Sequence, residues 1–267
     1  MPVGDLQKCL YTGKIKSGIT AILGTLDLHS HIRLNPVLKY LRNFLGKDKP
    51  HRIMEVGSGM GTLAFELPKI LDIEQISYVG FDLNADAINN ANEIAGKMNI
   101  DKSLRFVCAD ATTYTFADVT NRFDTIFLID FLEHVKNPVA ILQQLKSVLG
   151  EKGIIVVSVP TPNYKRVFGQ DFHEKVGHLV DGFTSQGLKY LFNEIGATMI
   201  YSEYNTGLIS NIGCALYYRF FLNIRYISFL KGLLLYPFRF LDLYNSERVS
   251  CSLFAVFELS EHVENEG

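Results

Sequence analysis

Cysteine is scarce in this sequence and scattered: Cys9, Cys108, Cys214 and Cys251 are the full set, and no two form a C-x-x-C pair. That spacing suits neither a disulfide framework nor a zinc site, and it leads us to expect a reducing compartment. An excess of either charge is missing too. With 26 Lys and Arg against 28 Asp and Glu, no global field draws the chain to nucleic acid or to an anionic surface. Any basic patch must be local. The sequence lacks the run of about eighteen or more apolar residues that a spanning helix needs, and "MPVGDLQKCLYTGKIKSG" lacks the apolar core of a signal peptide. We expect a cytoplasmic protein. Internal repeats and low-complexity linkers are absent as well. At 267 residues, 48% hydrophobic, the chain can bury one large core with an elaboration.

From Arg52 to Pro160 short β-branched runs alternate with helical patterns: "RIMEV", "LAFELPKIL", "ISYVGFDL", "ADAINNANEIAGKM", "LRFVCAD", "FDTIFLID", "PVAILQQLKSVLG" and "GIIVVSVP". Regular strand–helix alternation predicts right-handed βαβ units and a parallel sheet covered on both faces. The near-continuous apolar content of "TIFLI" and "IIVVSV" marks those strands as central. After Pro160 we expect an irregular stretch, "TPNYKRVFGQDFHEKVGHLVDGF", then a helix capped by Thr184 or Ser185 and closed at Gly196. Two further strands, "ATMIYSEY" and "SLFAVFEL", follow. Ahead of the first strand, Gly18 to Leu45 reads as one or two lead-in helices with Pro36 near a helix start. The expected organisation is residues 1–50 as lead-in helices and 51–267 as one α/β domain.

Two phosphate-binding signatures are missing. The first strand runs into Gly57, Gly59 and Gly61, but Thr62 stands where a dinucleotide fingerprint needs its third glycine, and no G-K-[ST] occurs. What is present is a turn that lets a ligand lie against the backbone, preceded by Glu55 at the strand end. Asp82 ends strand two, where an acid accepts the hydroxyls of a ribose, while Asp110 and Asp130 end strands three and four. Three acids along the ligand crevice repel a phosphate and suit a neutral adenosine that carries a cationic group. Asp82 and Asp110 read singly as helix N-caps too.

Taken in order, "IMEVGSGMG", "GFDLNADAI", "CADATTY" and "IDFLEHVKNP" resemble the successive motifs of class I S-adenosylmethionine-dependent methyltransferases. "D-x-L-E-H-V" and "GHLVDGFTSQGLKYLFNEIGA" are most similar to the subgroup that includes ubiquinone and menaquinone methyltransferases. The resemblance covers Leu34 to Tyr204 and resumes in the last strand. It implies a Rossmann-like, doubly wound sheet of seven strands whose last strand inserts antiparallel between strands five and six. It implies S-adenosyl-L-methionine as cofactor, leaving as S-adenosyl-L-homocysteine. Gly57, Gly59 and Gly61, with Ser58, would pack on the methionine part and sugar, and Asp82 and Leu83 would hold the ribose side. Asp110 and Ala111 would face the adenine amino group, Asp130 and Phe131 would close the pocket near the sulfonium, and Glu55 would hold the loop and the cofactor's amino group.

Methyl transfer needs an in-line approach to the sulfonium methyl, which positioning alone largely supplies. A hydroxyl acceptor also needs a base, and histidine has the suitable pKa. The candidates are His134, His173 and His178, with His178 and His134 taken as the catalytic choice. His173 and His178 fall in the expected loop after strand five. Against this, His178 reads as a loop-ordering histidine, and Glu133 and His134 read as a solvated first turn. His29, His31 and Arg33 in "LHSHIRLN" are placed to close over the cofactor's carboxylate, although an aromatic residue frequent in the family is absent there. No Asp/His cluster has recognisable ligand spacing, so no metal is expected.

Residues 207–245 lengthen the connection between strands six and seven. This stretch is apolar and rich in Tyr and Phe, with Arg219, Arg225, Lys231 and Arg239 against Asp242, and Pro237 divides it into more than one helix. Such a segment packs on its own domain, lies in a membrane interface, caps an acceptor pocket or buries itself in a homodimer. We expect methylation of a small-molecule, lipid or glycan acceptor, at oxygen rather than carbon, with no nucleic acid partner. The alternatives are a nucleotide-dependent oxidoreductase on a related sheet, or a non-catalytic cofactor-binding module that docks a partner through the insertion.

Overall fold

The computed structural model describes residues 28–45, 49–116, 122–216, 242 and 245–259, with the backbone alone at 28–33, 171, 172 and 214. Seven strands form one sheet: β1 (His51–Val56), β2 (Ile76–Asp82), β3 (Leu104–Cys108), β4 (Phe123–Ile129), β5 (Leu149–Pro160), β6 (Ala197–Tyr204) and β7 (Ser252–Leu259). Their order is β3-β2-β1-β4-β5-β7-β6. The first five pair in parallel, and β7 runs antiparallel to both β5 and β6. This is the doubly wound arrangement with an inserted antiparallel strand that the motifs imply. The strands at the centre are the apolar ones, because a strand covered on both faces offers no side to water.

The helices are α1 (Leu28–Phe44), α2 (Thr62–Glu66), α3 (Ala85–Lys97), α4 (Pro138–Val148), α5 (Asn163–Phe168), α6 (Gln170–Lys175), α7 (Ser185–Asn193) and α8 (Leu208–Leu216). On one face α4 and α7 pack Ile141, Leu142, Leu145, Leu188 and Phe192 against Val56, Ile126, Leu128 and Phe257. The stacked rings of Phe192 and Phe257, 3.7 Å between centroids, pin β7 beneath α7. On the other face α1, α2 and α3 bring Val37, Leu41, Leu63, Ala91 and Ile94 onto Ile53, Phe127 and Val256.

Three local expectations need correction. Pro36 lies inside α1 rather than at its start. The buried neighbours Leu34, Val37 and Leu41 carry the helix through a position where one backbone bond is lost. The segment after Pro160 is helical over α5 and α6, which Gly169 separates at φ 89°, and irregular from residue 176 to residue 184. His173 therefore sits on a helix, buried, rather than in a loop. The "LAFELPKIL" helix is short, with α2 tightening into a 3₁₀ turn over Leu67–Lys69 where Pro68 removes a donor.

Of the 207–245 insertion, 207–216, 242 and 245 are described; 217–241, 243 and 244 lie outside the described residues, as do 1–27 of the lead-in. The base of the insertion is fastened by buried and half-buried polar groups. The Asp242 carboxylate accepts the backbone N–H groups of Gly207 (2.7 Å), Ile209 (3.0 Å) and Ser210 (3.1 Å), so an acid from the far end caps the helix at the near end. Thr161, just after β5, donates its hydroxyl to the Ser250 carbonyl, and Asn163 donates to the carbonyls of Glu247 and Ser250. Thus the insertion is rooted beside α5, at the carboxyl end of β5. Among the described residues no helix is long and apolar enough to cross a membrane.

Candidate active site

The glycine turn rises from the end of β1. Gly57, Gly59 and Gly61 have φ of 81°, 52° and 74°, left-handed values that β-carbon-bearing residues rarely adopt. Two of the three also lie against rings: a β-carbon would fall 3.1 Å from Phe131 Cδ2 at Gly57 and 2.6 Å from Phe106 Cζ at Gly61. Backbone N–H groups of Gly57 and Ser58 both donate to the Phe81 carbonyl, at 2.8 and 3.0 Å, which ties the turn to β2.

Asp82 is the second tie. One carboxylate oxygen accepts the Gly59 N–H at 2.8 Å and the other accepts the Asn84 N–H at 2.8 Å. The reading of Asp82 as a helix cap is thereby replaced. The cap of α3 is Asn84, whose side chain accepts from Ala87, while Asp82 links the turn to the mouth of the crevice. Leu83 beside it is 71% exposed, available to a planar ligand face. Asp110, two residues past β3, is half-buried and holds its carboxylate by accepting from the Thr112 hydroxyl (2.7 Å) and N–H (2.9 Å). Those bonds, the side-chain one first, lower its pKa. Ala111 is buried behind it. Asp130 has φ 52°, an uncommon value for a residue with a side chain, and donates its N–H to Ser158 on β5. Phe131 then lies over Gly57.

Beneath the turn is a feature that the motif reading left out. Glu55 is buried at 4% exposure and accepts a hydrogen bond from the Tyr78 hydroxyl on β2. Burial pushes the Glu55 carboxyl up to about 8, with the Tyr78 bond opposing and the Asp82 charge adding to the rise. Burial first, and then the nearby Glu55, raise the Tyr78 phenol well above its ordinary value. Gly80 makes the room: a β-carbon there would be 2.7 Å from Ser58 Oγ and 2.9 Å from the Tyr78 hydroxyl. The signal existed in the sequence as an isolated glycine inside the apolar run "ISYVGFDL", which marks a close approach of another chain segment.

Across the carboxyl ends of β4 and β5 the structure gathers the expected histidines. His178 lies between His134 and His173, with ring centroids 5.0 Å from each and 5.2 Å from Tyr164. Its Nε2 is 3.9 Å from Glu133 Oε1. His134 Nδ1 is 3.1 Å from the Gly177 carbonyl, and His173 Nε2 is 3.1 Å from the Val180 carbonyl. Glu133 is fully buried, so the solvated-turn reading holds for exposed His134 and fails for its neighbour. Spacing in the sequence did not reach one grouping in space: one donor atom each from Glu133, His134 and His178 lie within 4.8 Å of one another. No spacing rule finds this, because His178 arrives on a different loop. Such a set can relay a proton or accept a divalent ion. The side chains of His29, His31 and Arg33 lie outside the described residues, although α1 carries their backbone.

Residues 47–194, more than half of the chain, match the family model described as a methyltransferase domain. A demethylmenaquinone methyltransferase of Bacteroides fragilis is 28% identical over 122 residues, 45% of this chain and 48% of the relative. A mitochondrial ubiquinone biosynthesis O-methyltransferase of Saccharomyces cerevisiae is 33% identical over 108 residues, 40% of this chain and 32% of the relative. The chain thus matches about half or less of the length of these curated relatives. Among solved structures, the plantazolicin methyltransferase BamL, in complex with a triazolic desmethylPZN analog and SAH, aligns with a TM-score of 0.58 at 16% identity over 96% of this chain and 95% of that one. The [4+2]-cyclase SpnF aligns with a TM-score of 0.60 at 16% identity, over 86% of this chain and 82% of that one. The structural likenesses speak for the fold, and the family match speaks for the lineage: the chain belongs to the methyltransferase domain family, in its class I, S-adenosylmethionine-dependent branch.

Proposed function

We propose that this protein transfers the methyl group of S-adenosylmethionine to an apolar small-molecule, lipid or glycan acceptor, at oxygen. The observation that carries the cofactor side is the left-handed glycine turn held by Asp82, with Asp110 and Asp130 beyond it. Adenosine hydroxyls compete well for Asp82, because a ribose diol can replace two backbone donors with two hydroxyl donors. Asp110 and Ala111 take the adenine edge, while Phe131 and Asp130 border the sulfonium. Isothermal titration with S-adenosylhomocysteine tests this: we expect micromolar-range binding by the wild type and at least about a hundredfold loss in Asp82→Ala, from two charge-assisted hydrogen bonds. Absence of binding by the folded wild type would remove the reading.

Oxygen as the acceptor atom rests on the histidine cluster. A hydroxyl must lose its proton as the methyl arrives, and His178, backed by buried Glu133, is built to receive it. His178→Asn should lower kcat on a phenolic or alcohol acceptor by about 10²–10³, within the range of general base catalysis, while leaving the Kd for S-adenosylhomocysteine within about twofold. An equal fall for a thiol acceptor, which needs no base at neutral pH, would assign His178 to loop structure instead.

The apolar acceptor rests on surface near the mouth. Leu179 (52% exposed) lies on the loop that carries His178, and α8, next to α5, exposes Leu208 and Ile212. The same reading places the protein in the cytoplasm with its 207–245 insertion at the membrane interface or against a second subunit. Vesicle flotation and light scattering distinguish those two placements.

A further inference from the structure

Resting on the cofactor assignment above, we propose that Tyr78 is a positioning residue whose hydrogen bond to Glu55 builds a charge-selective floor under the glycine turn, favouring the cationic sulfonium cofactor over its neutral-sulfur product. Nothing in the motif pattern contains Tyr78; it enters through geometry. Glu55 is paired in register with Gly80 on β2 and Phe127 on β4, so one neighbour has no side chain and the other is apolar. The space over Gly80 is filled by Ser58 and the Tyr78 hydroxyl, which aims the phenol at the carboxyl. Phe106 packs on Tyr78 with ring centroids 5.5 Å apart and also meets Gly61, so the phenol and the turn share one support.

The groups that act on Glu55 are Tyr78 and Asp82, both from β2. Neither is a cation, and no cation is among the groups that shift this carboxyl. A buried carboxyl without a counter-charge holds its proton, and a cation brought onto the turn draws that proton off. S-adenosylmethionine carries one more positive charge than S-adenosylhomocysteine, and that charge is on the sulfur. The selectivity between the two therefore depends on the ionisation of Glu55, which Tyr78 assists by donating to the charged form. Once the methyl has left, the floor keeps only the amino group that both ligands carry and loses the added sulfonium charge, so the same pair that holds the cofactor loosens the product.

The test measures Kd for S-adenosylmethionine and S-adenosylhomocysteine side by side, from about pH 6 to about pH 7.5, in wild type, Glu55→Gln and Tyr78→Phe. The two ligands share their adenosine and amino-acid parts, so the ratio of their affinities largely cancels other titrations. In the wild type we expect the preference for S-adenosylmethionine to grow about tenfold across this range, since a titrating group changes affinity by up to tenfold per pH unit. In Glu55→Gln the ratio should be flat. In Tyr78→Phe the rise should move to higher pH, leaving a smaller preference at neutrality. A residue that only packs would weaken both ligands alike and leave the ratio unchanged at every pH. A flat wild-type ratio, or an unchanged one in Glu55→Gln, overturns the proposal while leaving the cofactor assignment intact; failure of the folded wild type to bind either ligand overturns the assignment itself. Thermal melts of each variant establish that it is folded.

Discussion

Gly61→Ala should abolish detectable S-adenosylhomocysteine binding and lower the melting temperature by about 5–15 °C. Two costs coincide at this residue. The backbone has φ 74°, where a β-carbon costs roughly 1–2 kcal/mol. That carbon would also sit 2.6 and 2.7 Å from Phe106 Cζ and Cε1 and 3.1 Å from Phe65 Cε2. The Phe106 ring has nowhere to withdraw, being held by Tyr78 at 5.5 Å and Phe65 at 5.8 Å between centroids. Overpacking of this kind typically costs about 1–3 kcal/mol. Together about 2–5 kcal/mol is expected, and for a domain of this size each kcal/mol is worth roughly 2–4 °C. Gly59→Ala is the control. At φ 52° with nothing within 4 Å of a β-carbon, it meets the backbone cost alone. Differential scanning calorimetry of the two variants separates steric from conformational demand. If Gly59→Ala were as damaging as Gly61→Ala, the ring platform would not be what shapes the turn.

The contrast between these glycines shows how far the sequence could be read. Three glycines in alternation announced a turn, and apolar runs on either side announced the strands and their place in the sheet, because periodicity and glycine freedom are local properties. Which glycine rests on Phe106 is a property of β3, reached only after two crossovers. The same distinction governs the rest of the site. Asp82 was legible as a strand-end acid, but its hold on Gly59 depends on how β1 and β2 register. Glu133 and His134 look alike in sequence, adjacent and polar, yet one is fully buried and the other exposed, since a 3₁₀ turn over Leu132–His134 sends neighbouring side chains to opposite sides. His178 joins them from a loop after two helices that the sequence concealed, because Gly169 and the polar content between Thr161 and Phe183 read as irregular chain. Asp242, the lone acid of a basic and aromatic insertion, was legible only as an odd charge; its task is to cap a helix that begins more than thirty residues earlier, which no local pattern encodes.

Glu55→Gln should stabilise the cofactor-free protein at neutral pH while weakening its grip on S-adenosylmethionine. Burial holds the folded carboxyl at about 8 against its ordinary value of 4.5, so between those values the folded chain keeps a proton that the unfolded chain gives up. Stability contributed by this group is therefore fully present below pH 4.5, falls as pH rises toward 8, and is constant above it. At pH 7 the deficit is about 3 kcal/mol, at 1.36 kcal/mol per unit. Glutamine keeps the shape and the acceptor for the Tyr78 hydroxyl but has no proton to lose, so its melting temperature at pH 7 should rise by about 5–10 °C. The two proteins should converge as pH approaches 4.5. Melting curves from acid to mild alkali give the answer directly: a variant no more stable than wild type at pH 7, with the same pH slope, would mean that Glu55 is already ionised in the free protein. With saturating S-adenosylmethionine the advantage should shrink, because glutamine at this position has no negative charge to offer the bound cation. A group that lowers the stability of the empty protein and recovers the loss when a cation arrives couples its burial under the glycine turn to binding.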